Sequence, residues 1–389
     1  MRYRIINRKK LYATVFADIV GNIIFLPKLL FRRGGEIIPE DVREILIIRT
    51  AYIGDAVMTV PILKPLRKRF RNSRVSFLTS TSAGKLLENN PHLDEIITYD
   101  PFWFYPSEKR NYIEFMRKMK ERVFDIIIET RGDIRDLLFL AWPLKARHKV
   151  GYKAGGGGYF LTHVVPYEGL KHRVEYHLDI IRYLDCDTEG IEWGVYLTEN
   201  ERDRVRNIIA ESGIRGAFIS VHPGARVILK RWMKERFVRL CDSIIERYKM
   251  PVVLIGDDKE RDIIDSIVEK MKFKPISLAG RLSLRELAGV LSESMLFICN
   301  DSAPMHIAAA VKTPTVAIFG PSKSIGTGPY GDIHKVVEKD FQCRYMCDES
   351  SCHYPEYHAC MRDIGVEDVL LAVEDIMGEL RIECSGLTH

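Results

Sequence analysis

The sequence predicts an α/β protein of two doubly wound domains, each a mostly parallel sheet covered on both faces by helices. Three observations predict this. Short apolar runs alternate with helical stretches from residue 42 onward, and the alternation begins afresh near residue 216. The runs are apolar along most of their length, as strands buried on both faces require. At 389 residues the chain is long enough for two domains with ordinary cores.

In the first series, the apolar run Ile45 to Ile48 is followed by a glycine-containing turn and a helix. VSFLTS (75–80) and IITYD (96–100) read as strands, with a helix around Ala83 to Asn89 between them. A charged helix (108–122) leads to FDIIIET, a buried strand with Asp125 near its start. Tyr152 to Tyr159, YKAGGGGY, is too rich in glycine for a regular element and is expected to be a mobile loop.

The second series begins with GAFISVHPGA (216–225), then a helix from Lys234 to Tyr248 and the strand PVVLIGD (251–257). A helix to about Lys272, ISLAG (276–280) and a helix at Leu284 to Ser292 follow. Leu296 to Ser322, LFICNDSAPMHIAAAVKTPTVAIFGPS, then reads as strand, polar turn, short helix, strand and second turn. Asn300, Asp301 and Ser302 supply capping side chains, and Pro304 suits the first helical turn. Free N–H groups at that helix start face the carboxyl end of the sheet, where doubly wound proteins hold anions. A last helix runs from Val366 to Met377. The expected division is a basic amphipathic segment (1–40), a first sheet domain (41–195) and a second (196–389) containing a cysteine loop (341–362).

Fifty-eight basic against 53 acidic residues leave a net charge of +5, too modest for a dedicated nucleic-acid binder. The charge is concentrated. Arg2, Arg4, Arg8, Lys9, Lys10, Lys28, Arg32 and Arg33 face a single acid, Asp18, in the first 33 residues. Between the basic clusters, LYATVFADIVGNIIFLPKLLF is apolar but interrupted by Asp18, Asn22, Pro27 and Lys28, a poor membrane span without a signal-peptide cleavage site. The expected form is an interfacial helix on an anionic cytoplasmic leaflet; a helix packed on the protein's own surface is the alternative.

Cys186, Cys241, Cys299 and Cys384 are dispersed, which fits cytosolic thiols rather than a secreted disulfide framework. Cys343, Cys347, Cys352 and Cys360 form C-x3-C-x4-C-x7-C, looser than paired zinc knuckles. That spacing leaves room for a structural metal but favours a loop stapled by, or simply carrying, these thiols.

Gly54 and Asp55 lie in the turn after the first strand, where Asp55 is expected to cap the next helix with its carboxylate toward the ligand. The turn lacks the G-x-G-x-x-G of a dinucleotide fold, which argues against a dehydrogenase. His222-Pro223-Gly224-Ala225 ends a strand, and Lys230 follows as a cation suited to phosphate. Gly256-Asp257-Asp258 ends the next strand where acids meet ribose hydroxyls, and Gly320-Pro321-Ser322 ends a later one.

Four ordered blocks, ILIIRTAYIGDAVMTVPIL, ISVHPGARVILKRWMKERFVRL, VVLIGDDKE and CNDSAPMHIAAAVKTPTVAIFGPS, resemble glycosyltransferase family 9, the ADP-heptose lipopolysaccharide heptosyltransferases and their relatives. The resemblance runs from about Arg43 to Ile376. It implies a GT-B architecture, with two Rossmann-like domains facing an interdomain cleft. It also implies inverting transfer without a divalent metal or other cofactor, from a nucleotide-activated sugar, here an ADP-sugar. By position it makes Asp55 the general base and Lys230 the partner of the departing diphosphate. His222, Gly224, Asp258 (or Asp257 after a slip of one residue), Asp301, Ser302, Ala303, His306 and Gly320 fall at donor positions. Arg131 and Lys153 lead a basic group with Arg135, Arg147, His148, Lys149 and His163 for a phosphorylated or carboxylated glycolipid acceptor. The Ala303-Pro304 step, the glycine-rich loop and the cysteine loop depart from the best-known heptosyltransferases. The expected partners are a nucleotide sugar, a glycolipid and an anionic membrane surface, with the protein cytoplasmic and peripheral on the inner face of the cytoplasmic membrane. A nucleotide-sugar epimerase and a non-catalytic nucleotide-sugar binding protein are the competing readings.

Overall fold

A computed structural model of the chain describes residues 8–26, 35–106, 109–345, 347, 349 and 351–386. The chain divides into two compact units, Met1–Tyr196 and Leu197–His389. The first holds β1 (Glu44–Arg49), β2 (Arg74–Thr79), β3 (Glu95–Thr98), β4 (Val123–Glu129), β5 (Lys145–Gly151) and β6 (His163–Val164). The second holds β7 (Ile219–His222), β8 (Val252–Leu254), β9 (Ile276–Ser277), β10 (Leu296–Asn300), β11 (Thr315–Phe319) and β12 (Lys335–Glu338).

Both sheets are parallel and share one winding, β3-β2-β1-β4-β5-β6 and β12-β11-β10-β7-β8-β9. In each, the first strand has the second on one side and the fourth on the other, so the chain reverses its direction of travel there. Loops leaving β1 and β4, or β7 and β10, must diverge, which opens a crevice at the carboxyl ends of those strands. The central strands are buried throughout: Ile45 to Ile48 and Leu296 to Cys299 are fully buried. Register then fixes which residues emerge together. Ile48 pairs with Glu129, and Cys299 with His222. At the other end of β1, the Asp125 carboxylate accepts the Arg43 and Glu44 N–H groups at 2.7 and 3.0 Å, pinning β1 to β4.

One segment differs from its expected form. The glycine-rich loop is packed: it ends in a 3-10 turn, Gly158–Phe160, and Gly155 forms a bridge with Asp133. Gly156 and Gly157 adopt φ of 89° and 77°, which glycine tolerates without strain. The amphipathic start forms a helix, Arg8–Ile24, with Asp18 buried and hydrogen-bonded to the Gly157 N–H at 2.7 Å. Phe25 stacks on Tyr159 and meets Phe160 and Trp142 edge-on. Arg2, Arg4, Lys28, Arg32 and Arg33, part of the expected basic segment, lie outside the described residues. Among the described residues, no helix is long and apolar enough to cross a membrane. The last helix, Val366–Gly386, extends past its expected end and packs Val369, Val373 and Ile376 into the core of the second unit.

Candidate active site

In the first unit, β1 ends in Arg49, a charged residue whose side chain is only 1% exposed. Beyond it, Tyr52 adopts φ 56° and ψ 141°, a left-handed conformation that costs a bulky residue about 1–3 kcal/mol. Its N–H donates to the Tyr105 hydroxyl at 2.8 Å, and its ring lies near Phe104 and Tyr105. Tyr52 thereby occupies the cap position of the Ile53–Val57 helix without a side-chain cap, and Asp55 falls within the first turn rather than at the cap. The Asp55 carboxylate pairs with Arg49 at 2.8 Å and remains 20% exposed.

Burial alone would raise the Asp55 pKa. The positive field of Arg49, Arg173 and Arg131 outweighs it, holding the carboxyl well below the ordinary range. His177 is buried, with Nδ1 at 2.9 Å from the Met58 carbonyl, so that nitrogen carries the donated hydrogen. Burial, with Arg49 beside it, lowers the His177 pKa to about 3, and the ring is neutral.

Arg131 follows β4. Its N–H and that of Gly132 donate to the Glu129 carboxylate, and its guanidinium lies 4.2 Å from the centre of the Phe104 ring. Glu129 and Asp136 are fully buried beneath this turn. Burial raises both carboxyls; Asp136 adds to the rise at Glu129 and Asp133 to that at Asp136, so a proton is retained where ordinary carboxyls lose theirs. Asp136 also accepts from the Trp103 indole at 3.0 Å and the Thr50 hydroxyl at 3.3 Å. Arg49 Nε and Nη1 and Arg131 Nη1 are buried without hydrogen-bond partners among the described residues. The arrangement is one ionised carboxylate in a cationic setting with donors to spare, suited to an anionic ligand.

In the second unit, His222 ends β7 and is buried. Its Nε2 meets Glu260 at 2.9 Å and its Nδ1 meets the Ser302 hydroxyl at 3.2 Å. A Cβ at Gly224 would lie 1.9 Å from the Glu260 carboxylate, so only glycine fits there. Asn300, at the end of β10, donates to the carbonyls of Pro223 and Gly224 and accepts the Trp232 N–H at 3.0 Å. It thus ties the loops after β7 to β10. The Lys230 ammonium lies 2.8 Å from Asp301 and 2.8 Å from Glu349. Burial would lower its pKa, but these two carboxylates raise it, so the lysine is charged. Ser322 donates its hydroxyl to the same Asp301 oxygen that Lys230 meets. Ser302 precedes the Ala303–Ala310 helix without capping it, because its hydroxyl is engaged by His222 and the Asn300 carbonyl.

The family described as "Glycosyltransferase family 9 (heptosyltransferase)" matches residues 112–358, well over half of the chain. The chain belongs to glycosyltransferase family 9. It is 26% identical over 341 residues to lipopolysaccharide heptosyltransferase 3 of Escherichia coli K12, covering 84% of this chain and 96% of that protein. A family 9 glycosyltransferase structure from Veillonella parvula superposes with a TM-score of 0.75 at 24% identity, covering 88% and 99% of the two chains. The Escherichia coli ADP-heptose lps heptosyltransferase II gives a TM-score of 0.69 at 21% identity, covering 87% and 99%. These likenesses establish two Rossmann-like domains of the GT-B class, and membership in family 9 makes the protein a glycosyltransferase rather than an epimerase or a passive binding protein.

Not every residue expected at the glycosyltransferase site joins these two groups. Asp258 is exposed and pairs with Arg261 at 2.9 Å, while Asp257 caps its own turn by accepting the Lys259 N–H. Glu260, not either aspartate, turns toward His222. The space a Cβ would take at Gly320 is filled by Met361 and Cys360, so its glycine serves packing against the cysteine loop. Ala303 begins the helix after Ser302, and His306 is buried one turn along it. Lys153 is exposed with its stem against Gly158, whereas Arg131 is among the charges that act on Asp55. Of the other basic candidates, Arg135 pairs with Asp133, Arg147 with Asp125, and the Lys149 ammonium donates to the Trp142 carbonyl, while the His148 and His163 rings lie 5.1 Å apart.

Arg49, Arg173, His177, Glu129, Asp136, Glu260 and Glu349 escaped the sequence reading, and Asn300 was expected only as a cap. Arg49 and Glu129 had a usable signal, since each is a charged residue directly after an apolar run, Ile45 to Ile48 and Ile126 to Ile128. Glu260 had one too, as the glutamate three positions after Asp257 in a D-x-x-E capping box that the structure forms. Cys343, Cys347, Cys352 and Cys360 form no disulfide among the described residues, and Cys360 is raised to about 11 by burial and by the other three nearby. Among the described residues, no group of three or more His, Cys, Asp or Glu side chains is arranged to hold a metal.

Proposed function

We propose that the chain transfers a heptose-like sugar, from ADP-heptose or a closely similar nucleotide-diphosphate donor, to a lipopolysaccharide-core or related glycolipid acceptor, with inversion and without a divalent metal. The observation that carries this reading is positional. Asp55 and Arg131 follow the two strands flanking the reversal in one sheet, and His222, Asp301 and Ser302 follow the corresponding strands of the other. Relatives named as lipopolysaccharide and lipooligosaccharide heptosyltransferases support the sugar and acceptor classes.

Asp55 accepts the proton of the acceptor hydroxyl as that oxygen attacks the anomeric carbon from the face opposite the nucleotide. A carboxylate with a strongly lowered pKa is a weak base toward an alcohol. It suffices for the oxonium that forms as the new C–O bond develops, because that species is a far stronger acid, so proton transfer comes late. Arg131 serves the anionic groups of the acceptor, and the buried Arg49 holds Asp55 in place. On the donor side, Lys230 neutralises the departing diphosphate, and Ser302 with the N–H groups at the start of the Ala303–Ala310 helix takes up the remaining charge. His222, locked between Glu260 and Ser302, orients that hydroxyl. The reading carries with it a cytoplasmic enzyme working at the inner face of the cytoplasmic membrane, where a lipid-borne acceptor is presented.

The test is a product assay. Incubation with ADP-heptose and a glycolipid extract, in the presence of EDTA, should yield an acceptor heavier by one heptosyl residue in the mass spectrum. Consumption of donor without a heavier acceptor, or activity that EDTA abolishes and a divalent ion restores, would contradict it.

A further inference from the structure

The Arg8–Ile24 helix has two unlike faces. On one, Asp18 accepts the buried Gly157 N–H, the Tyr159 ring fills the place of a Cβ at Gly21, and Thr14 lies against Gly156. On the other, Tyr12 (70%), Phe16 (70%), Ile19 (56%), Ile23 (67%) and Ile24 (66%) stand exposed beside Val20. At about 100° per residue, Tyr12, Phe16, Ile19, Val20 and Ile23 fall within a sector of about 100°, forming one stripe roughly 18 Å long with Ile24 at its edge. A contiguous apolar stripe of this kind marks a binding surface, unlike scattered exposed side chains. The packed face prevents the helix from rolling to hide it, since rolling would strip Asp18 from a buried donor.

We propose that this outer face docks on an anionic lipid surface, with the stripe in the acyl boundary and Arg8, Lys9 and Lys10 among the headgroup phosphates. Charge selects the occupant. The only acid of the helix, Asp18, is turned inward, so its outer surface carries three exposed cations at one end and no carboxylate. A second copy pairing through the same face would bring no counter-charge to those cations, whereas an anionic bilayer supplies both an apolar phase and phosphates. The inference adds a partner surface to the proposed function and shares with it only the lipid-borne acceptor. It also explains the packed glycine-rich loop. Gly157 holds the helix while Gly155 bridges to Asp133, two residues beyond Arg131, so a docked helix sets the Arg131 turn at a fixed station above the lipid.

Flotation of the full chain with vesicles of phosphatidylcholine alone, or with about 30% phosphatidylglycerol, tests it. The protein should float with the anionic vesicles, and less so at about 0.5 M salt. Phe16→Glu/Ile23→Glu should lower the bound fraction by about tenfold or more, and Lys9→Glu/Lys10→Glu by less, with thermal midpoints and transfer to a deacylated, water-soluble acceptor unchanged. Flotation of the Phe16→Glu/Ile23→Glu protein equal to wild type would overturn the inference. So would absence of wild-type binding to anionic vesicles, or a dimer by sedimentation that the double substitution dissolves. Vesicle binding without transfer to the soluble acceptor would instead contradict the proposed function and support the docking surface.

Discussion

The carboxyl ends of the two sheets share a winding but treat charge in opposite ways. After β1 and β4, one partly exposed carboxylate sits in the field of Arg49, Arg131 and Arg173, and the Arg49 and Arg131 guanidiniums retain unused donors among the described residues. After β7 and β10, charges are partnered within the protein: His222 with Glu260, and Lys230 with both Asp301 and Glu349. The difference teaches that the first group has cationic donors in excess of its acceptors, whereas a diphosphate approaching Lys230 competes with carboxylates already there.

The largest effect that would break this comparison is at Arg49. Replacing one partner of a buried pair leaves the other charge uncompensated, so Arg49→Met should lower stability by about 3–5 kcal/mol, read as a fall in chemical-denaturation midpoint. Retention of wild-type stability would mean that Asp55 and its surroundings do not depend on this guanidinium. Next, Lys230→Ala should weaken ADP binding by about tenfold to a hundredfold by calorimetry, through loss of a charge-assisted contact. An unchanged Kd would remove Lys230 from the phosphate site.

Glu349→Gln sharpens the contrast because the sign reverses. With one competing charge gone, ADP should bind about fivefold tighter, whereas weaker binding would show that Glu349 supports the donor site. A further test concerns the acids beneath Arg131. A native carboxyl with a raised pKa holds its proton after the unfolded one has lost it, so its contribution is fully present at low pH and declines as pH rises from the ordinary carboxyl range toward the raised native value. Glu129→Gln should flatten that decline by about 1–2 kcal/mol, measured as stability against pH. An unaltered slope would assign the decline to other groups.

Much of the fold was legible because buried parallel strands announce themselves as apolar runs. Ile45 to Ile48 and Leu296 to Cys299 could hardly be anything else once helices were seen between them. Asp55, Lys230, Asp301 and Ser302 were legible as polar residues just past such runs. Their partners were not, because partnership depends on register and winding. Nothing local marks Glu129 as the residue beside Ile48, or Glu349 as a neighbour of Lys230, 119 positions away. The cap expected from Ser302 failed for the same reason, since a distant His222 competes for its hydroxyl. The glycine-rich loop misled in another way: its composition removes side-chain packing, but its N–H groups and small size let the N-terminal helix approach and bond to it.

The central claim is that Asp55 acts on the acceptor and not on the donor. The most direct measurement pairs the mass-spectrometric transfer assay with ADP calorimetry on Asp55→Asn, which keeps the shape of the side chain and removes its charge. The account predicts transfer slower by about 10²–10⁴-fold with ADP affinity unchanged. Transfer at the wild-type rate would contradict it, as would a parallel loss of ADP binding large enough to explain the slower turnover.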